Sequence, residues 1–233
     1  MIRIIEGSYA SFFPRETTAM FRDRAETFSA RLNWDVVVEN GYERDAFDDI
    51  NPMYLVSVDP ETEEYWGSLR LLPTTGPNML RDVFSQLLGD EGPVESDTIW
   101  EISRICARAT DSQPDRSRSR INYALSELIL GMGEVSVLAG LSQFVSVFDA
   151  RMFRVLKAAG CEPRIIGNPQ QIGETMCYAG LFDTGKGPLH AFRAALGIRG
   201  SVLAPGATDW CFVDRAAWAL PKGMRPDIFG SQK

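Results

Sequence analysis

The sequence predicts an α/β fold: a three-layer α/β/α sandwich around a mixed β-sheet. Three observations carry this. Strand-like apolar runs alternate with segments of helical spacing through the middle of the chain. Early on, Tyr54-Leu55-Val56-Ser57-Val58 and the run from Tyr65 to Leu72 flank the acidic turn Asp59 to Glu64, an antiparallel hairpin that keeps the sheet from being purely parallel. The 233 residues, 45% of them hydrophobic, suit one domain with a substantial core. A single domain is therefore expected over residues 1–233, with a less regular tail after about 200 that carries Pro205, Pro221 and Pro226.

The elements follow in order. Met1 to Gly7 is a first strand. Residues 17–31 are a helix, because Met20, Phe21, Arg24, Ala25 and Phe28 recur at three- and four-residue spacing. Val36-Val37-Val38 is a short β-branched strand, and the hairpin comes next. Gly76-Pro77 breaks the chain before a short helix over Met79 to Leu88. Thr98 to Ala107 is a strand, and Asp111 to Ser119 a polar surface loop. Ile121 to Leu138 is the longest helix, with a stripe of Ile121, Leu125, Leu128, Ile129 and Met132. Phe144 to Phe148 is a strand, and Ala150 to Ala159 a helix ended by Gly160. Arg164 to Ile166 and Thr175 to Phe182 are further strands, and Pro188 to Leu196 is a last helix.

Composition excludes several classes. A net charge of −7 argues against nucleic-acid binding, which needs a positive footprint. Docking to an acidic carrier protein would need a local basic patch; Arg116, Arg118 and Arg120, or Arg151, Arg154 and Lys157, could supply one, and either set reads equally well as a solvated face. No apolar run is long enough to span a bilayer, and the N-terminus lacks the features of a signal peptide. Cys106, Cys161, Cys177 and Cys211 are widely spaced and read as free thiols in a reducing cytoplasm. No metal-ligand cluster is visible, and His190 is the only histidine. There is no Gly-x-Ser-x-Gly elbow, Walker loop or dinucleotide glycine pattern.

The informative residues are charges inside strands. Gly67-Ser68-Leu69-Arg70-Leu71-Leu72 and Trp100-Glu101-Ile102-Ser103-Arg104 each place a charge in an otherwise buried run. Such charges need partners, and an acidic cluster of Asp45, Asp48 and Asp49 lies upstream. Glu101 and Arg104 are three positions apart, so on a regular strand they face opposite sides. Either a bulge brings both into one pocket, or Glu101 works on one face and Arg104 on the other.

Arg24, Phe28, Trp34, Asp45, Asp48, Arg70, Phe84, Glu101 and Arg104 also carry a resemblance in their order and gaps, across about residues 20 to 166. On these residues the chain resembles an acyl-homoserine lactone synthase, the autoinducer synthase of bacterial quorum sensing. The resemblance implies a fold related to the N-acetyltransferase (GNAT-like) superfamily. It implies two substrates and no cofactor or metal: S-adenosylmethionine, and an acyl donor that is an acylated acyl-carrier protein or an acyl-coenzyme A. It implies acyl transfer to the amine of S-adenosylmethionine, then lactone closure with release of methylthioadenosine.

Residue roles follow from the same resemblance. Asp45 and Asp48 would suit the ammonium and sulfonium of S-adenosylmethionine. Arg24, Arg70 and Arg104 would form a charged network supporting the cleft. Glu101 would help remove the amine proton, directly or through water, or would be a structural ion pair with an arginine. Phe28 and Trp34 would wall the cleft or serve as core aromatics, and Phe84 is expected to be structural. The acyl pocket is expected from Met79, Ser103, Leu125, Val145, Ser146, Met152 and Leu156. Ser146 would offer a hydroxyl to a 3-oxo group, and Phe148 would shorten or reshape the pocket. Arg116, Arg118 and Arg120 would meet phosphate on the donor's pantetheine arm. Two other classes stay open: an N-acyltransferase acting on a different amine, and a non-catalytic ligand-binding relative.

Overall fold

The computed structural model describes residues 1–114 and 121–205. In chain order the elements are β1 (Ile2–Glu6), α1 (Pro14–Arg24), β2 (Val38–Glu39), β3 (Tyr42–Glu43), β4 (Met53–Val58), β5 (Tyr65–Pro73), α2 (Met79–Asp82), β6 (Ile99–Ala107), α3 (Tyr123–Ala139), β7 (Gln143–Asp149), α4 (Ala150–Ala158), β8 (Arg164–Ile172), β9 (Thr175–Asp183) and α5 (Lys186–Leu196). Seven strands form one sheet in the order β1-β4-β5-β6-β7-β9-β8, and β2 pairs with β3 apart from it. Every pairing in the large sheet is antiparallel except β6 with β7. The expected mixed sheet is thus present.

Strand parity sorts the core onto two faces. On one face Leu55, Leu71, Ile102 and Phe148 pack with Leu128 of α3, Leu156 of α4 and Leu189 of α5. On the other, Ile5, Tyr54 and Val56 meet Met20 of α1, while Val145 and Ala179 meet Leu80 and Leu87 at and after α2. Helices therefore cover both faces, in the three layers expected. The caps match local chemistry. Asn122 accepts from Leu125 N at 2.8 Å to start α3, and Gly140 at φ 62° ends it. Asp149 accepts from Met152 N at 2.6 Å to start α4.

Two irregularities of the sheet shape the site. First, β6 and β7 pair only from Ile99↔Gln143 to Ile102↔Ser146. Beyond that, β6 stays with β5 as far as Ala107 and β7 stays with β9 as far as Asp149, so the sheet opens between them. Second, the β5–β6 register passes from Arg70↔Ser103 to Ser68↔Cys106, three residues of β6 against two of β5. The extra residue lies at Arg104, whose φ of 54° is unusual for a non-glycine residue. Of the two arrangements that the spacing of Glu101 and Arg104 allowed, the bulge is the one present.

Other elements differ from the sequence reading. The helix expected over 17–31 begins at Pro14 and changes at Ala25 into a π-helical turn to Arg31, with Leu32 N donating to Thr27 O. Only Val38 of the valine triplet is in a strand. The short helix stops at Asp82, followed by a 3-10 turn over Ser85–Leu87. β8 runs to Ile172, past a register break between Ile166 and Gln170 that hid its second half. Residues 115–120 and the tail from 206 lie outside the described residues.

Gly67 pairs with Ala107 across β5 and β6, and a Cβ there would come within 2.6 Å of Cys106 O. Gly67→Ala is expected to cost about 1–3 kcal/mol by strain beside the bulge, read as a lower midpoint in urea unfolding.

Candidate active site

The charged residues of β5 and β6 point to the face covered by α1. Arg24, at the end of α1, is 1% exposed and Arg70 0%. The Arg24 Nη atoms donate to the two Asp48 oxygens at 2.9 and 2.8 Å, and its Nε to Glu43. Arg70 reaches Asp48 Oδ1 at 2.9 Å, Asp45 Oδ2 at 3.0 Å and, through Nε, Ser103 Oγ at 3.1 Å. Arg104 donates to Glu43 Oε1 at 2.8 Å and pairs with Asp45 Oδ2 at 2.9 Å. Tyr54 OH completes the set on Asp48 at 2.8 Å. Asp45 and Asp48 also form a reciprocal cap on the turn that carries them.

Three guanidiniums thus face three carboxylates. Burial alone would raise the Asp48 carboxyl, but the hydrogen bonds of Arg24 and the charges of Arg24 and Arg70 hold it well below the usual range. Burial opposes the charge on Arg24, and Asp48 with Glu43 more than reverse that, raising its pKa. Burial, then Asp48, pushes the Tyr54 phenol up.

Glu101 stands apart. It is 1% exposed, and its oxygens accept from Met79 N at 2.9 Å and Leu80 N at 2.6 Å, the first turn of α2. No arginine pairs with it among the described residues. Burial raises its pKa to about 6, with the two backbone N–H groups and the charge of Arg70 pulling the other way.

A cavity of about 510 Å³ reaches Glu101 through the opening between β6 and β7. Its lining comes from both faces of the sheet. On the α1 side it is walled by Thr27, Phe28, Trp34, Met79, Phe84 and Arg104; on the α3 side by Leu125, Phe144, Ser146, Met152, Leu156 and Phe192. The Phe28 and Trp34 rings meet at a tilt with centroids 5.5 Å apart, Trp34 and Phe84 meet edge-to-face at 6.3 Å, and the Arg104 guanidinium lies 5.0 Å over the Phe28 ring.

Most expected residues converge here, though not all at the cavity. Arg24, Asp45, Asp48 and Arg70 lie behind its wall, in the ion network, and are not among its lining. Ser103 lines the cavity but is hydrogen-bonded to Arg70. Val145 is 0% exposed and packs with Leu87 and Ala179 on the α2 side, so it is not part of the cavity lining. Its parity is opposite to that of Ser146. Ser146 directs its hydroxyl hydrogen to Ile102 O at 2.8 Å, bridging the two strands where they part. Phe148 is held by Tyr178 at 6.1 Å, Phe182 at 5.8 Å and Phe153 at 5.6 Å, over Gly180. Phe148, Phe182 and Phe192 all line the cavity. Arg116, Arg118 and Arg120 lie outside the described residues. Glu43 was not singled out from sequence. Its signal was alternation: Glu43 and Asp45 share parity beside a short strand.

Residues 12–191 match the autoinducer synthase family. The chain belongs to that family. It is 37% identical over 172 residues, 74% of its length, to an acyl-homoserine-lactone synthase of Agrobacterium fabrum, covering 79% of that protein. It is 33% identical over 198 residues to another from Rhizobium etli, covering 84% of this chain and 90% of that one. Among solved structures it resembles a CoA-dependent acyl-homoserine lactone synthase, MesI, with a TM-score of 0.74 at 23% identity, covering 88% of this chain and all of that one. At that identity the likeness speaks for the fold.

In this autoinducer synthase the ion network predicts its own cost of disruption. Asp48→Asn leaves two buried guanidiniums short of charge, and a loss of about 3–5 kcal/mol is expected in urea unfolding at neutral pH. Because folding lowers the Asp48 pKa, its stabilisation is present above the ordinary value of 3.8 and is lost as pH falls through the lower folded value. The variant should therefore lose less further stability than the parent on acidification below pH 4.

Proposed function

We propose that the chain makes an acyl-homoserine lactone, with Glu101 as general base at the point where the cavity crosses the sheet. The single observation that carries this is a cavity with a polar, aromatic end on one face and an apolar end on the other, joined beside one carboxylate that is free of arginines. Two substrates can enter from the two faces and meet there.

S-adenosylmethionine occupies the α1 side in this reading. Its sulfonium lies against the ring of Trp34, where cation–π attraction replaces water. Its amine lies toward Glu101. Asp45 and Asp48 have their oxygens engaged by arginines, and we assign them to holding the wall and the Arg104 bulge in place. The acyl group of the donor occupies the apolar side. β6 beyond Ile102 and β7 beyond Ser146 no longer pair with each other, so their backbone faces the gap and can receive the thioester carbonyl. Glu101, ionised above about pH 6, takes a proton from the substrate ammonium, directly or through water. The amine attacks the thioester carbon, the C–S bond breaks, and the donor thiol leaves with a proton. The methionyl carboxylate then attacks its own side-chain carbon next to sulfur. That C–S bond breaks onto sulfur, the sulfonium becomes the neutral thioether of methylthioadenosine, and the lactone ring closes.

The donor is acyl-coenzyme A or an acylated carrier protein; both present phosphate on a pantetheine arm, for which Arg116, Arg118 and Arg120 are our candidate contacts. Free, buried Cys106, Cys161 and Cys177 fit a cytoplasmic site of action.

Mass spectrometry of the purified protein with S-adenosylmethionine and a panel of both donor types tests the reading. Methylthioadenosine together with an acyl-homoserine lactone is expected; an acyl amide without methylthioadenosine would make the chain an acyltransferase for another amine. A second expectation concerns pH. kcat/KM should rise with pH through about 6 as Glu101 ionises. Glu101→Gln should lower kcat by about 10²–10⁴-fold and abolish that limb; unchanged turnover would remove Glu101 from the mechanism.

A further inference from the structure

The Arg31 guanidinium has no role in the network or the mechanism above, yet it lines the cavity. It is the last residue of the π-helical turn, one turn on from Thr27 and Phe28, which line the same wall. Its sole polar contact among the described residues is a long one, Nη2 to Thr27 Oγ1 at 3.4 Å. Its charge reaches inward: at Cys106 of β6, where burial raises the thiol pKa to about 12, Arg31 is one of the groups pulling back.

Other charges along the cavity are accounted for. Arg104 is held by Glu43 and Asp45. Asp149 caps α4, and Asp183 accepts from Gln143. Arg151 lies in the first turn of α4, on the acyl side of the sheet. That leaves Glu101 and Arg31 as the carboxylate and guanidinium available on the α1 side. The substrate placed there carries an ammonium and a carboxylate on the same carbon, and a carboxylate without a cation would be desolvated at a cost.

We propose that Arg31 binds the methionyl carboxylate of S-adenosylmethionine, opposite Glu101, and so selects an α-amino acid head group over a simple amine. This rests on the synthase reading above. An exposed arginine on a helical turn suits the task. It can orient the carboxylate while the amine reacts, then release it to attack in the second step. A buried bidentate clamp would hold that nucleophile back.

The test measures calorimetric binding of three probes to the full chain: S-adenosylmethionine, decarboxylated S-adenosylmethionine, which keeps the amine and sulfonium, and methylthioadenosine, which lacks both head groups. Wild type should prefer S-adenosylmethionine to its decarboxylated form by roughly ten- to a hundredfold, the range of a charged hydrogen bond. Arg31→Gln should erase that preference and leave methylthioadenosine binding unchanged, with Arg31→Lys recovering part of it. In turnover, KM for S-adenosylmethionine should rise while KM for the acyl donor stays. Equal preference in wild type and Arg31→Gln would overturn the proposal, as would no preference in wild type. A rise confined to the donor KM would overturn it too, reassigning Arg31 to donor phosphate. Wild type that binds none of the three probes would overturn the synthase reading itself.

Discussion

Three arginines and three carboxylates share one water-poor space under β5 and β6, and their charges have to cancel there. Arg24 comes from α1, Glu43 from the small β2–β3 hairpin, Asp45 and Asp48 from the turn after it, Arg70 from β5 and Arg104 from β6. Each guanidinium touches at least two carboxylates, so removing one member leaves several groups uncompensated. Arginine suits this work better than lysine, because its planar fork donates to two acids in fixed directions. The network is therefore a geometric clamp that ties together five separate segments of the chain. It also explains an expensive detail. A non-glycine residue at positive φ costs about 1–3 kcal/mol, and Arg104 holds that conformation because only the bulge turns its guanidinium to the face where Glu43 and Asp45 wait.

The bulge and the sheet opening act together. Without the bulge, Glu101 and Arg104 would face opposite sides of β6. Without the parting of β6 from β7, Glu101 would be sealed beneath the sheet. Ser146 marks the boundary, its hydroxyl hydrogen closing on Ile102 O at the last paired position. Past it, chain separation replaces ladder hydrogen bonds with a passage. The apolar half then follows from ordinary core residues of β7, α3 and α4 that have no strand to pack against.

Much of this was legible in the sequence. Arg70, Glu101 and Arg104 stand out as charges in strand-like runs, and the three-residue spacing of Glu101 and Arg104 allows either a bulge or opposite faces; the bulge is what the sheet adopts. The hairpin, α3 and α4 followed from periodicity and caps. Glu43 did not stand out, because its one signal, parity shared with Asp45, is faint in a polar stretch of several acids. The π-helical turn did not either, because its residues continue the three- and four-residue spacing of α1 and carry no mark of the change. The second half of β8 was hidden by Asn168-Pro169, which reads as a break and is accommodated by the register shift. Val145, as the neighbour of Ser146 on one strand, points to the other face and packs against Leu87 and Ala179.

The environment of Glu101 is a balance of two opposed effects. Burial pushes the carboxyl up, and taken alone it would leave the acid protonated and useless as a base at neutral pH. The start of α2 supplies two backbone N–H donors aimed at its two oxygens, which favour the ionised form. The result near 6 lies just below neutral pH, where a base is ionised yet still has appreciable affinity for a proton. Pairing with Arg70 or Arg104 would have driven the pKa down and made Glu101 another member of the clamp. The clamp prevents this by occupying both arginines with Glu43, Asp45 and Asp48. The same charges that hold the wall together thus leave the one carboxylate at the crossing available to take a proton.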